Sequence, residues 1–107
     1  MEKITAMQVM SALSQATRLN VFTILAGQHP AGLSAGELAT RSKTPPNTMS
    51  AHLAILSRAG LVTSSKEGRV VTYTACPDVV LELSAFLTQV SGAGVPATRV
   101  HPEKVAG

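Results

Sequence analysis

The sequence has few aromatic side chains and little charge. Among its 107 residues there are two phenylalanines, one tyrosine and no tryptophan, and only 14% of residues are charged. Because 45% are hydrophobic, the composition excludes a disordered chain and predicts a core of aliphatic residues and methionine. The length suits one domain with a modest core.

Cysteine is nearly absent, and long apolar runs and sorting signals are missing. The single thiol, Cys76, allows no internal disulfide, so we expect a reducing, cytoplasmic setting. No apolar run approaches the roughly 18 residues of a membrane span. The N-terminus lacks the charged, apolar and cleavage regions of a signal peptide, so no membrane association is expected.

Catalytic motifs are missing as well. The sequence has no paired catalytic carboxylates, Ser/His/Asp set, glycine-rich phosphate loop or Cys-x-x-Cys. We therefore expect a protein that is not an enzyme and that needs neither a cofactor nor a metal.

Positive charge is concentrated in one part of the chain. Residues 41–69 hold five cations and one acid, whereas the rest holds four cations and five acids. Phosphates attract such a segment and release counterions on binding, so the asymmetry favours nucleic acid over a merely solubilising patch. The five cations are Arg41, Lys43, Arg58, Lys66 and Arg69.

Residues 46–59 are typical of a DNA-recognition helix. The double proline at 45–46 suits a helix start, and Gly60 suits its end. Apolar residues at i, i+4 and i+7 form one stripe, while the far side is slim and polar, as an approach to base edges in the major groove requires. The stripe is Met49, Leu53 and Leu56, and the far side is Asn47, Ala51, Ala54 and Arg58.

The segments before this helix complete a helix-turn-helix. Further helices are predicted at residues 2–13, 15–26 and 35–41. Ser14 is expected to cap the second helix and Gly27 to end it, while Ser34 and Glu37 form a capping box for the third. Short helix, tight turn and longer helix is the helix-turn-helix arrangement.

The segments after it predict a wing and a last helix. The β-branched runs 61–65 and 70–74 form a hairpin, and Gly68 supplies the positive φ of its loop, 66–69. The loop cations can reach phosphates or the minor groove. A helix is predicted at 77–90, so residues 1–90 form the domain and 91–107 a loosely ordered tail.

The first and last helices carry apolar stripes that a chain of this size cannot bury entirely. Such uncovered stripes favour association between subunits. They comprise Ile4, Met7, Met10 and Leu13 on the first helix and Val79, Leu83, Phe86, Leu87 and Val90 on the last.

This arrangement, over about residues 4–90, resembles the ArsR/SmtB family of bacterial repressors. The resemblance depends on LSQATRL at 13–19, TMSAHLAIL at 48–56, AGLV at 59–62 and EGRVVTY at 67–73. It implies a mainly α winged helix-turn-helix fold of order α-α-α-α-β-β-α with a small β-hairpin. It also implies a homodimer formed by the first and last helices, which binds a pseudo-palindromic DNA operator and releases it on sensing a signal.

The resemblance also assigns DNA-contacting positions. On the recognition helix these are Asn47, Thr48, Ser50, Ala51 and His52, and on the wing they are residues 66–69. His52 either bonds a phosphate or packs, and Arg18 matches a family arginine that is structural or faces phosphate. We expect base-edge contacts from Asn47, Thr48 and Ser50 and phosphate contacts from Lys43, Arg58, Lys66 and Arg69.

No familiar inducer site of the family is intact. Metal-sensing members carry Cys-x-Cys in the helix matching 34–41, or Asp-x-His and His-x-x-Glu on the last helix, which here has no histidine. Persulfide sensors need two cysteines. Cys76 is either a packing residue or, as two copies in a dimer, a candidate thiol sensor. His101 and Glu103 in the tail could join a site across the dimer, but no metal site is predicted, and the inducer stays unknown.

The sequence therefore predicts a cytoplasmic, homodimeric, sequence-specific DNA-binding transcriptional repressor. The alternative from another class is a protein-interaction module that kept the winged-helix fold and lost DNA binding. The wing cations and the outward face of the recognition helix favour the repressor, since an interaction module does not need them.

Overall fold

The computed structural model describes residues 1–93. It confirms a mainly helical chain with a small antiparallel sheet. Residues 94–107 lie outside the described part, so most of the predicted tail, with His101 and Glu103, does too. The elements are α1 (Lys3–Leu13), α2 (Ala16–Gln28), β1 (Leu33–Ser34), α3 (Ala35–Ser42), α4 (Pro46–Arg58), β2 (Val62–Glu67), β3 (Val70–Ala75) and α5 (Pro77–Ser91).

The core is aliphatic, as the shortage of aromatic residues requires. Its largest fully buried side chains come from α2, α3, α4 and the residues that lead into β2, and each stabilises the fold by about 1.5–3 kcal/mol. Phe22 is the one aromatic side chain in the buried cluster of the described residues. The largest of these side chains are Leu25, Leu38, Met49, Leu53, Leu56 and Leu61.

α1 buries its small side chains and leaves its large ones outside. Ala6, Val9 and Ala12 are buried, where α1 packs against α2 and α4. Ile4 is 68% exposed and Met7 is 55% exposed. Small residues let the helix backbones approach closely. Of the predicted stripe, Ile4, Met7 and Met10 stay exposed in a single chain, whereas Leu13 is half-buried and packs against the core.

Both predicted ends of the second helix are wrong. Ser14 is the C-cap of α1, with its hydroxyl bonded to the Ser11 carbonyl, and Gln15 caps α2 by accepting the Arg18 N–H at 2.8 Å. α2 also runs through Gly27 to Gln28. A glycine in a helix costs only about 1 kcal/mol relative to alanine, which does not by itself end a packed helix.

The sheet differs from the prediction in its loop, and it contains a short third strand. Glu67 pairs with Val70, so the hairpin loop is two residues rather than 66–69, and Lys66 and Glu67 belong to β2. Gly68 has a φ of 63°, as the first residue of a tight two-residue turn requires. β1 adds a short antiparallel pairing with β3, giving the strand order β1-β3-β2.

Gly32 allows the close approach of the chain to β3. A Cβ at this position would collide with the Tyr73 carbonyl oxygen and with the side chains of Thr72 and Thr74. Gly27, by contrast, has open space around its Cβ position. The two glycines therefore form a matched pair for testing the β1–β3 contact.

We predict opposite effects of alanine at these two glycines. Gly32→Ala should lower the free energy of unfolding by about 1–3 kcal/mol, because backbone must move to admit the methyl group. Gly27→Ala should raise it by about 0.5 kcal/mol, because alanine is the better helix former. Urea denaturation at equal protein concentration measures both. Equal effects of the two substitutions would contradict the close approach.

Candidate nucleic-acid interface

α3, the first helix of the helix-turn-helix, begins with the predicted capping box. The Ser34 hydroxyl accepts the Glu37 backbone N–H at 3.1 Å, and the Glu37 carboxylate accepts the Ser34 N–H at 2.8 Å. The hydrogen bond from the Ser34 backbone N–H to the carboxylate, and after it the Ser34 side chain, hold the pKa of the Glu37 carboxyl below its ordinary value. The carboxylate therefore stays ionised as a cap at neutral pH and fixes where α3 begins.

The turn between α3 and α4 is closed by a lysine. Lys43 caps α3 in the left-handed region, with a φ of 53°, a conformation that costs about 1–2 kcal/mol outside glycine. Hydrogen bonds hold the turn: Thr44 N–H donates to the Ala39 carbonyl at 2.9 Å, and the Ser42 hydroxyl donates to the Leu38 carbonyl at 2.6 Å. The turn keeps Lys43 exposed just before the recognition helix.

α4 buries one face and exposes the other, as its spacing predicts. Met49, Leu53 and Leu56 are at most 1% exposed. Apart from His52, the predicted contact residues of α4 are exposed. Gly60 follows the helix with a φ of 79°. These exposed residues are Asn47, Thr48, Ser50, Ala51 and Arg58.

The first turn of α4 presents short polar groups. The Asn47 side-chain oxygen accepts the Thr48 N–H at 3.0 Å, which leaves the Asn47 amide NH₂ as a donor. The Ser50 hydroxyl donates to the Pro46 carbonyl at 3.2 Å and keeps its lone pairs as acceptors. The positive end of the helix dipole lies here too, so this turn suits an approach to DNA.

His52 is the one predicted α4 contact that is half-buried. Its Nδ1 lies 3.4 Å from Nη1 of Arg18, on α2. Arg18 is half-buried too, and its Nε donates to the Ala12 carbonyl at 2.8 Å. The structural alternative for Arg18 is therefore favoured. The resemblance of residues 13–19 to the family indicates that Arg18 has a role, but its hydrogen-bond partners are found only in the folded structure.

The wing carries its cations at the hairpin end. Lys66, Glu67 and Arg69 are all exposed, and Arg69 is the second residue of the turn. Because Lys66 is paired with Val71 in the sheet, its backbone is held by the β2–β3 ladder. The wing thus presents two cations and one acid from a short ribbon, which suits contacts with phosphates.

Cys76 lies where β3 passes into α5. It is half-buried at the N-cap of α5, and its backbone N–H donates to the Leu61 carbonyl at 2.9 Å. Within residues 1–93, no three His, Cys, Asp or Glu side chains gather as metal ligands would. No helix in the same range has the length and apolar character to span a membrane.

This geometry is that of a winged helix-turn-helix domain: a capped helix, a tight turn, a recognition helix with an exposed polar face and a basic hairpin. A helix-turn-helix domain family matches residues 13–65. The transcriptional activator HlyU of Vibrio cholerae is 38% identical over 76 residues, which cover 69% of this chain and 68% of HlyU.

Solved structures show the same likeness. An ArsR-like transcriptional regulator from Rhodococcus superposes with a TM-score of 0.74 at 31% identity, over 84% of this chain and 82% of that one. A homodimeric winged helix-turn-helix DNA-binding domain from Mycobacterium bovis gives a TM-score of 0.65 at 25% identity, over 92% and 88%. The chain belongs to the ArsR/SmtB family and is a DNA-binding transcriptional regulator.

We predict that each wing cation contributes to the salt dependence of DNA binding. Lys66→Ala and Arg69→Ala should each flatten the slope of log affinity against log salt by about 1, because each removes one phosphate contact. Fluorescence anisotropy with a mixed-sequence duplex measures the slope. Lys3→Ala removes a charge from α1 and should leave it unchanged. Wing variants whose slopes equal that of Lys3→Ala would show that the wing does not reach DNA.

Proposed function

We propose that the chain is a homodimeric, sequence-specific repressor that binds a pseudo-palindromic operator in the cytoplasm. The observation that carries the proposal is the exposed, slim polar face of α4, held outward by its buried stripe beside the basic wing. In a symmetric dimer two such helices enter successive major grooves, about one helical turn apart.

Contacts are divided by chemistry. Asn47, Thr48 and Ser50 offer short donors and acceptors to base edges, while the small side chain of Ala51 lets the helix come close. His52 contributes an imidazole at the border of this face. The flanking cations contact the phosphates. These contacts fix the register of the protein on DNA without reading its sequence. These cations are Lys43, Arg58, Lys66 and Arg69.

Dimerisation through α1 and α5 follows from uncovered apolar surface. On α5, Leu87 is 40% exposed and Val90 is 65% exposed, and on α1 the side chains of Ile4 and Met7 are uncovered as well. A groove of about 450 Å³ separates α1 from the end of α4. A second copy covers this surface best, because its own α1 and α5 offer matching apolar residues. The groove is lined by Ile4, Met7, Gln8, Ser11, Ala12, Ile55, Arg58 and Ala59.

Repression by occlusion is the simplest use of such a dimer, since occupying a promoter needs only DNA binding. The relative from Vibrio cholerae is a transcriptional activator, which favours activation as the second candidate. The two functions differ in the sign of their effect on a reporter gene.

We predict that a charge in the uncovered stripe dissociates the dimer. Met7→Lys should reduce the sedimenting mass from twice the chain mass to one chain mass and weaken DNA binding, because a charge placed in an apolar interface loses its hydration. Leu19→Lys adds the same charge at an exposed apolar residue of α2 and should leave the mass unchanged. If Leu19→Lys dissociates the dimer and Met7→Lys does not, the interface lies elsewhere.

The wild-type chain is first used to enrich a preferred duplex from a randomised pool. We predict that the chain lowers expression from a promoter that contains this enriched duplex. Asn47→Ala should relieve this repression, because one good base contact is worth about 1–3 kcal/mol. Asn20→Ala, an exposed asparagine of α2, is the matched control and should repress normally. Higher expression with the wild-type chain would instead establish activation, and no enrichment of any duplex would exclude sequence-specific binding.

A further inference from the structure

Arg18 joins three helices through one side chain. Its Nε donates to the Ala12 carbonyl at 2.8 Å, its Nη2 to the Ser11 carbonyl at 3.4 Å, and its Nη1 lies 3.4 Å from Nδ1 of His52. Ser11 and Ala12 belong to the last turn of α1, Arg18 to α2 and His52 to α4. The guanidinium thus lies between the proposed dimer helix and the proposed recognition helix.

We propose that Arg18 is a positioning residue that ties the end of α1 to His52 and thereby sets the placement of α4 on DNA, without touching DNA itself. This inference rests on the proposed use of α4 as the recognition helix. All three guanidinium nitrogens face groups of the protein, and the residue is half-buried. These engaged nitrogens distinguish it from the exposed cations of the wing.

The end of α1 needs a donor of this kind. The last carbonyls of a helix have no partner within it, and the Ala12 carbonyl is one of them. A cation there also meets the negative end of the helix dipole. Arginine can serve both α1 and His52 because its planar group carries five donors in a fixed fork, whereas lysine has one compact ammonium group.

The same contact selects the tautomer of His52. A guanidinium has no acceptor, so the Arg18–His52 hydrogen bond requires a lone pair on Nδ1. Neutral His52 then carries its proton on Nε2, and that N–H is the donor the recognition helix offers at this position. Arg18 therefore controls both where His52 is and which hydrogen-bonding group it presents.

The test compares a duplex enriched from a randomised pool by the wild-type chain with a scrambled duplex of the same composition. Arg18→Lys should weaken binding to the enriched duplex about tenfold, the loss expected for one charge-assisted hydrogen bond, with scrambled-duplex affinity within about twofold. Arg18→Gln removes the charge as well and should leave the salt slope unchanged, because no phosphate contact is lost. Lys3→Arg, a conservative exchange at an exposed cation of α1, is the control and should match the wild type.

Variants of His52 test the same Arg18–His52 contact by changing its other residue. His52→Gln keeps an acceptor for Arg18 and a donor beyond it, so it should retain most of the affinity. His52→Leu should lose at least as much as Arg18→Lys, because it removes both the acceptor and the donor. The double variant Arg18→Lys/His52→Leu should lose no more than His52→Leu alone, since Arg18 acts through His52. Thermal melting confirms that each variant is folded.

Three results would overturn the inference and leave the proposed function standing. Weakening of both duplexes by Arg18→Gln, with a salt slope lower by about 1, would make Arg18 a phosphate contact. Losses that multiply in the double variant would show that Arg18 and His52 act separately, and an unchanged Arg18→Lys variant would remove the tie altogether. If instead the wild-type chain binds both duplexes equally, the recognition role of α4 fails, and the tie with it.

Discussion

Burial of three side chains of α4 is the constraint on which the rest of the structure depends. Met49, Leu53 and Leu56 are essentially removed from solvent and lie in the same cluster as the core residues of α2 and α3. α4 cannot turn about its axis without exposing part of this stripe, at about 1.5–3 kcal/mol for each large side chain. The polar face from Asn47 to Arg58 is outward because the apolar face has no alternative position.

The elements next to α4 further fix its position. The Ser34–Glu37 capping box sets the start of α3, and the left-handed Lys43 sets the turn into α4. Arg18 adds a contact from the opposite side, between α1 and His52. Beyond α4, the tight turn at Gly68 shortens the hairpin loop, so Lys66 lies on a paired strand and Arg69 in a two-residue turn rather than on a long loop. A surface that must match a DNA duplex is in this way built on regular elements.

Much of this could be predicted from sequence because the signals are local. The double proline, the i, i+4, i+7 stripe, the capping box and the β-branched runs each depend on residues close together in the chain. The ends of α2 were less predictable, since Ser14 and Gly27 are compatible with more than one local structure and packing decides between them. α1 buries Ala6, Val9 and Ala12 for a reason visible only in the packed structure, namely how closely its neighbours approach. The partners of Arg18 likewise come from distant segments, and no spacing rule identifies them.

The proposed function requires that α4 enters the major groove twice, from a symmetric dimer. Dimethyl sulfate protection of the enriched duplex tests this placement, since the reagent methylates guanine N7 in the major groove and adenine N3 in the minor groove. Two clusters of protected guanines are expected on one face of the duplex, with centres about 10–10.5 base pairs apart. A single protected cluster, or protection confined to adenine N3, would contradict it.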